Sequence, residues 1–248
     1  MSPGPAAYDR IGVGYATRRQ PDPRIDRQIR EALGCADSVL NVGAGTGSYE
    51  PRHVPTVALE PSAEMIAQRR VRSNVVRGAA EALPFEDGCF DASLAVLTLH
   101  HWRDIGRGLA ECVRVSRRRV VILTWDPDSP GFWLTRDYFP RLLAFDRDIF
   151  PSLNEISNRL GPSSIREVPI PADCLDGFLG AYWRRPEAYL RAEVRSSISS
   201  FARSPHPAET LERLRADLES GAWRARNSEV LGLESLDLGY RLVTAMLG

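Results

Sequence analysis

An apolar run that ends in three alternating glycines, Val39-Leu40-Asn41-Val42-Gly43-Ala44-Gly45-Thr46-Gly47-Ser48, constrains this chain more than any other segment. A short buried strand running through a glycine turn toward a helix is the opening unit of an open α/β sheet. Ligands in such sheets sit at the carboxyl ends of the strands, where the strand order reverses. Glycine lets the backbone pass close to a ligand and take positive φ. The spacing narrows the ligand. A dinucleotide fingerprint, Gly-x-Gly-x-x-Gly, needs a glycine where this chain has Ser48. A phosphate-loop nucleotidase needs Gly-Lys-Ser/Thr, and all 32 basic residues here are arginine. The same absence of lysine removes Schiff-base and lysine-base chemistry.

The residues around the loop carry the alternation forward. Val54–Leu59 reads as a second strand and Ser62–Arg70 as a helix with Ser62 as N-cap. Asn74–Arg77 and Phe90–Thr98 are strands, Asp104–Val115 has helical spacing, and Arg119–Thr124 is a fifth strand of mostly β-branched residues. Beyond Trp125 the pattern changes: a turn at Asp126–Pro130, helical segments at Phe132–Phe150 and Ser152–Leu160, and a sixth strand at Ile165–Ile170. A helical stretch, Ala172–Leu233, then precedes a last strand at Leu236–Met246. Short apolar strands separated by helix-length segments imply a mostly parallel sheet covered on both faces. An insertion of about sixty residues between outer strands reads as a binding element.

Composition bounds the function classes. The chain has 248 residues, long enough to bury a core without disulfides, and its formal net charge of zero argues against coating nucleic acid or anionic membrane. Cys35, Cys89, Cys112 and Cys174 are scattered, so neither a zinc ribbon nor a disulfide framework is expected. With no apolar leader and no run of ~20 apolar residues, the reading is a soluble cytoplasmic chain. Arg117-Arg118-Arg119 reads as a solvated helix end before strand five, and Asp126-Pro127-Asp128 as a turn with no metal bound.

Glu60 follows Gly47 by thirteen residues and ends the second strand, where a carboxylate can accept both hydroxyls of a ribose. Gly78-Ala79-Ala80-Glu81-Ala82-Leu83-Pro84-Phe85 then precedes Phe90-Asp91. This combination resembles the class I S-adenosylmethionine-dependent methyltransferases, in particular the small-molecule branch (methyltransferase type 11) that includes ubiquinone and menaquinone biosynthesis enzymes. It covers Ser38 to Thr124, about a third of the chain. The resemblance implies a Rossmann-like, doubly wound, mostly parallel seven-stranded α/β sheet with an antiparallel last strand and a helical cap. It implies an S-adenosylmethionine site at Asn41, Gly43, Ala44, Gly45, Glu60, Pro61, Met65, Ala80, Glu81 and Leu97. Tyr15 and Arg19 of the leader would close over that site.

Two positions depart from the family pattern. Asn41 stands where the family has an acid that orients the cofactor ammonium, and Ala79 where it has the acid that accepts from the adenine amine. They keep open a second reading, a protein that binds the cofactor without transferring a methyl group. The fourth strand ends in His100-His101-Trp102. A histidine with pKa near neutrality suits a general base for a hydroxyl acceptor, so His101 and then His100 are the catalytic candidates. Trp125, Phe132, Trp133, Tyr138, Phe139, Tyr182 and Trp183 are read as the wall of an aromatic or apolar acceptor pocket. The expected organisation is an arm and helix over 1–34, a cofactor-binding core over 35–171, a substrate cap over 172–233 and the last core strand over 234–248. The expected partner is a small molecule, with no nucleic acid and no membrane, and the assembly a homodimer.

Overall fold

Five parallel strands run inward from one edge of the sheet: β1 (Val39–Val42), β2 (Thr56–Glu60), β3 (Val75–Arg77), β4 (Phe90–Val96) and β5 (Ser116–Trp125). The computed structural model describes residues 19–70, 74–129, 132–203 and 208–248. The strand order is β3-β2-β1-β4-β5-β9-β6, with β6 (Ser163–Glu167) on the edge and β9 (Tyr240–Met246) antiparallel to both neighbours. The order reverses between β1 and β4, so their carboxyl ends splay to leave a crevice.

Local chemistry sets most boundaries. Asp22 caps α1 (Pro23–Leu33), accepting from the Arg24 N–H at 2.9 Å, and Ser62 caps α2 (Ala63–Ala67), accepting from the Met65 N–H at 3.2 Å. Asp104 does the same for α3 (Ile105–Val115) through the Arg107 N–H. After β5 a π-helical turn (Leu134–Tyr138) leads into α4 (Pro140–Ile149), then α5 (Leu153–Leu160), which Ser152 caps.

The two sheet faces carry separate cores. On one, Ile25, Ile29 and Leu33 of α1 meet Leu94, Val121 and Leu123. That core continues into Trp133, Trp183, Tyr189 and Trp223 beyond the sheet. On the other, α3 and α5 bury Leu109, Cys112, Ile156 and Leu160 against Leu40, Leu59 and Ile122. Helix α1 is thus a sheet-covering helix. Among the described residues of the arm expected to close the site, Arg19 reaches the crevice.

Several expected elements shift. The sixth strand does not run from Ile165 to Ile170. It ends at Glu167, and β7 (Ile170–Pro171) pairs instead with β8 (Ser235–Leu236) in a separate ribbon. Pro169 and Pro171 have no N–H to continue a ladder. Gly239, at φ +88, similarly delays the last strand to Tyr240. Strand β5 begins three residues early, so the arginine triplet lies in the strand and is no helix end. Arg117 and Arg118 pair with Asp91, and Arg119 donates to the Ala32 carbonyl at the end of α1.

The segment between β7 and β8 is built of short turns and helices. They include two 3-10 turns (Leu179–Tyr182, Pro186–Leu190), α6 (Ala192–Ser196), α7 (Ser199–Arg203), α8 (Ala208–Glu219), α9 (Ala222–Arg226) and α10 (Ser228–Leu231). Trp133 and Trp183 lock it to the sheet side. The Trp133 Nε1 donates to the Trp183 carbonyl at 2.8 Å, and the Trp183 Nε1 to that of Ile170 at 2.9 Å. Among the described residues no helix is long and apolar enough to cross a membrane.

Candidate active site

The β1 glycine loop touches the end of β4. Gly43 sits at φ +68, and a Cβ there would lie 2.1 Å from Thr98 Oγ1, so only glycine fits. Glu60, 5% exposed, organises the loop from below: Oε2 accepts from the Gly45 N–H at 2.8 Å and Oε1 from the Ser62 N–H at 2.9 Å. One carboxylate therefore fixes the loop and starts α2. Leu97, at φ +49, turns the end of β4 toward the same space. A left-handed leucine costs on the order of 1–3 kcal/mol and persists where packing over-determines it.

These termini enclose a cavity of about 1010 Å³. Its wall includes Arg19, Asn41, Gly43, Ala44, Gly45, Glu60, Pro61, Met65, Ala80, Glu81, Leu97 and His101. Tyr15 lies outside the described residues. His100 faces away, into a second cavity of about 40 Å³ shared with Trp125, Phe150, Phe178, Ser199 and Tyr240. Arg19 and Leu97 border both spaces. Arg19 is held by Asp176 through two contacts, at 2.6 and 3.2 Å.

The histidines differ from the near-neutral pair expected. Burial, with the adjacent charges of Arg203 and Arg19, lowers the His101 pKa to about 3. His100 is pushed well below its ordinary value by burial and then by His101, Arg203 and Arg19. Its ring stacks on Phe150 at 4.1 Å, with Ser199 Oγ 3.4 Å from Nε2. Both imidazoles are neutral near pH 7. They can orient an acceptor, but are weak proton sinks.

Glu81 lines the cavity while its Oε1 accepts from the Arg103 and Asp104 N–H groups ahead of α3. Asp126 accepts from the Asp128 N–H and so closes a turn, and among the described residues no three metal-ligating side chains gather. The aromatic list does not form one pocket. Phe132, Trp133, Tyr138, Phe139 and Trp183 are core residues; the first four pack edge to face with one another or with Tyr189, Phe201 and Trp223. Trp125 lines the smaller cavity, beside Phe150, Phe178 and Tyr240, which were not expected there. Nor were Tyr49, Thr98, Asp104 and Arg203 expected on the main wall. Tyr49 and Thr98 adjoin recognised motifs. Arg203 gave no signal, since its contact with the His100 carbonyl spans 103 residues of chain.

Known proteins share this arrangement. The family described as "Methyltransferase domain" matches residues 40–124. A solved protein from Anabaena variabilis, described as a methyltransferase of an antibiotic biosynthesis pathway, is 34% identical with a TM-score of 0.85. The match covers 92% of this chain and 99% of that one. The chain belongs to the S-adenosylmethionine-dependent methyltransferases. Within that family it is 35% identical over 130 residues to the demethylmenaquinone methyltransferase of Mycolicibacterium gilvum, 47% of this chain and 56% of that protein. It is 30% identical over 123 residues to a 2-methyl-6-phytyl-1,4-hydroquinone methyltransferase of Oryza sativa subsp. japonica, 44% of this chain and 35% of that protein. The chain thus spans about a third to a half of these curated relatives.

Proposed function

We propose that the large cavity binds S-adenosylmethionine and that the chain transfers its methyl group to a small apolar or aromatic molecule. The observation that carries this is the convergence of the Gly43–Gly47 loop, Glu60 and the end of β4 on one cavity of about 1010 Å³. The residues present fit the cofactor. Glu60 offers its remaining lone pairs to a ribose, the loop offers close backbone, and Met65, Ala79 and Ala80 offer an apolar bed for a flat base. Bound there, the cofactor supplies a methyl group already activated by sulfonium charge. The chain's own work is then orientation and exclusion of water.

In this reading His101 positions the acceptor as a neutral ring and His100 supports it from the aromatic side. The segment 172–233 caps the acceptor entrance, with Ser199 and Arg203 beside the histidines. Quinone- and hydroquinone-type rings are named for two relatives, and such flat, largely apolar acceptors motivate this choice of substrate class. A cytoplasmic homodimer without nucleic-acid or membrane partners completes the reading. Titration calorimetry with S-adenosylmethionine, S-adenosylhomocysteine and NADH tests it: the two sulfur compounds should bind and NADH should not. Binding of NADH alone would overturn it.

A further inference from the structure

Arg69 and Glu50 form a charged cluster against the glycine loop. Arg69, with a side chain only 3% exposed, donates from Nη1 to the Gly45 carbonyl at 3.0 Å and from Nη2 to Glu50 Oε2 at 2.5 Å. The same Glu50 oxygen accepts from Asn41 Nδ2 at 3.2 Å. Asn41 is 2% exposed and lines the main cavity.

An amide has one donor end and one acceptor end. A carboxylate accepts only, so it can hold just one orientation of the Asn41 amide, the one with nitrogen toward Glu50. The carbonyl oxygen is then turned away from the carboxylate, and among the described residues no group donates to it. Arg69 in turn holds Glu50 and ties that choice to the loop. We propose that Glu50 and Arg69 are positioning residues that lock Asn41 Oδ1 toward the cavity, where it accepts from the ammonium group of the bound adenosyl amino acid. A neutral oxygen on the cavity wall, backed by a carboxylate that does not line it, thus reads the cation. The inference rests on the cavity binding S-adenosylmethionine.

Three probes separate the parts of the ligand in calorimetric titrations. S-adenosylhomocysteine carries ammonium and carboxylate, decarboxylated S-adenosylmethionine keeps only the ammonium, and 5′-methylthioadenosine has neither. Glu50→Met should weaken the first two by about tenfold, the factor for one charge-assisted hydrogen bond. It should leave the third within about twofold. Glu50→Gln retains an acceptor oxygen and should bind all three like the parent. Asn41→Leu should give the same pattern as Glu50→Met, and the double variant should lose no more than either, because both act through one contact. Equal loss of all three probes would make Glu50 a prop of the loop and overturn the inference. So would loss of S-adenosylhomocysteine alone, which would place the cofactor's carboxylate here. If Glu50→Met does not fold, Asn41→Leu decides by the same comparison. Failure of the parent to bind any probe would instead reject the cofactor reading itself.

Discussion

Glu60 uses both carboxylate oxygens on backbone N–H groups before any ligand arrives. Replacing it therefore removes the loop's anchor together with the proposed ribose acceptor. Glu60→Ala should weaken S-adenosylhomocysteine binding by roughly 1–3 kcal/mol, measured by calorimetry, and should also lower the melting temperature. His101 makes a prediction that needs no acceptor. With its pKa near 3, its ring resonances should not titrate between pH 5 and 8 in an NMR series. The unfolded chain takes up that proton near pH 6.5. The contribution of a neutral His101 to stability is thus present above that pH and is lost as pH falls toward 3. Asp146 has the opposite sign. It is fully buried, and burial, only partly offset by the neighbouring Ser200 hydroxyl and the Arg203 charge, raises its pKa to about 7. The folded protein keeps that proton where the unfolded chain has released it, so stability declines as pH rises from about 4 through 7. Asp146→Asn should leave urea stability near pH 4 little changed and raise it at pH 8 by a few kcal/mol, roughly 2–4. Neither shift is legible in the order of residues, since burial of a given side chain is a property of the packed molecule.

Strands and caps were the legible elements. Apolar runs bounded by glycine, and Ser or Asp placed just ahead of helical spacing, located β1, β2, β4, α2, α3 and α5 to within a few residues. What failed was strand continuity around Ile165–Ile170, where proline decided against the apolar pattern. The aromatic segment failed differently: composition shows that rings are buried, and cannot show whether they face a ligand or one another. Glycine conformation offers a test between two left-handed positions. At Gly161, φ +80, an added Cβ meets nothing within 4 Å, so Gly161→Ala pays only for backbone conformation, about 1–2 kcal/mol. At Gly43 the Cβ collides with Thr98. Gly43→Ala should cost more in denaturant melts and should also abolish S-adenosylhomocysteine binding, because the loop and the end of β4 must part.

The whole molecule depends on contacts distant in sequence. The Arg19–Asp176 pair joins the leader to the segment beyond β7, with side chains 10% and 0% exposed. Breaking a buried pair strands a charge, so Asp176→Ala should destabilise by about 3–5 kcal/mol. Hydrogen exchange should report faster opening around Ser199–Arg203 than in β1, β4 and β5, and slowing there with S-adenosylhomocysteine. The glycine loop and Glu60 were readable because their motifs are local. The smaller cavity was not, because Phe178 and Tyr240 reach it from far along the chain. The ribbon of β7 and β8 bears on this division. Ile170 lies opposite Leu236, and the Ala172 N–H donates to the Glu234 carbonyl at 2.9 Å, so the intervening segment leaves and rejoins the scaffold through one doorway. Closing a loop at fixed ends costs free energy that grows only with the logarithm of its length. Exchange at that doorway can therefore swap one intervening segment for another of different size while the strand register stays as it is. Recombination, natural or in the laboratory, has a ready crossover point for changing that segment while keeping the half of the sheet that carries the glycine loop.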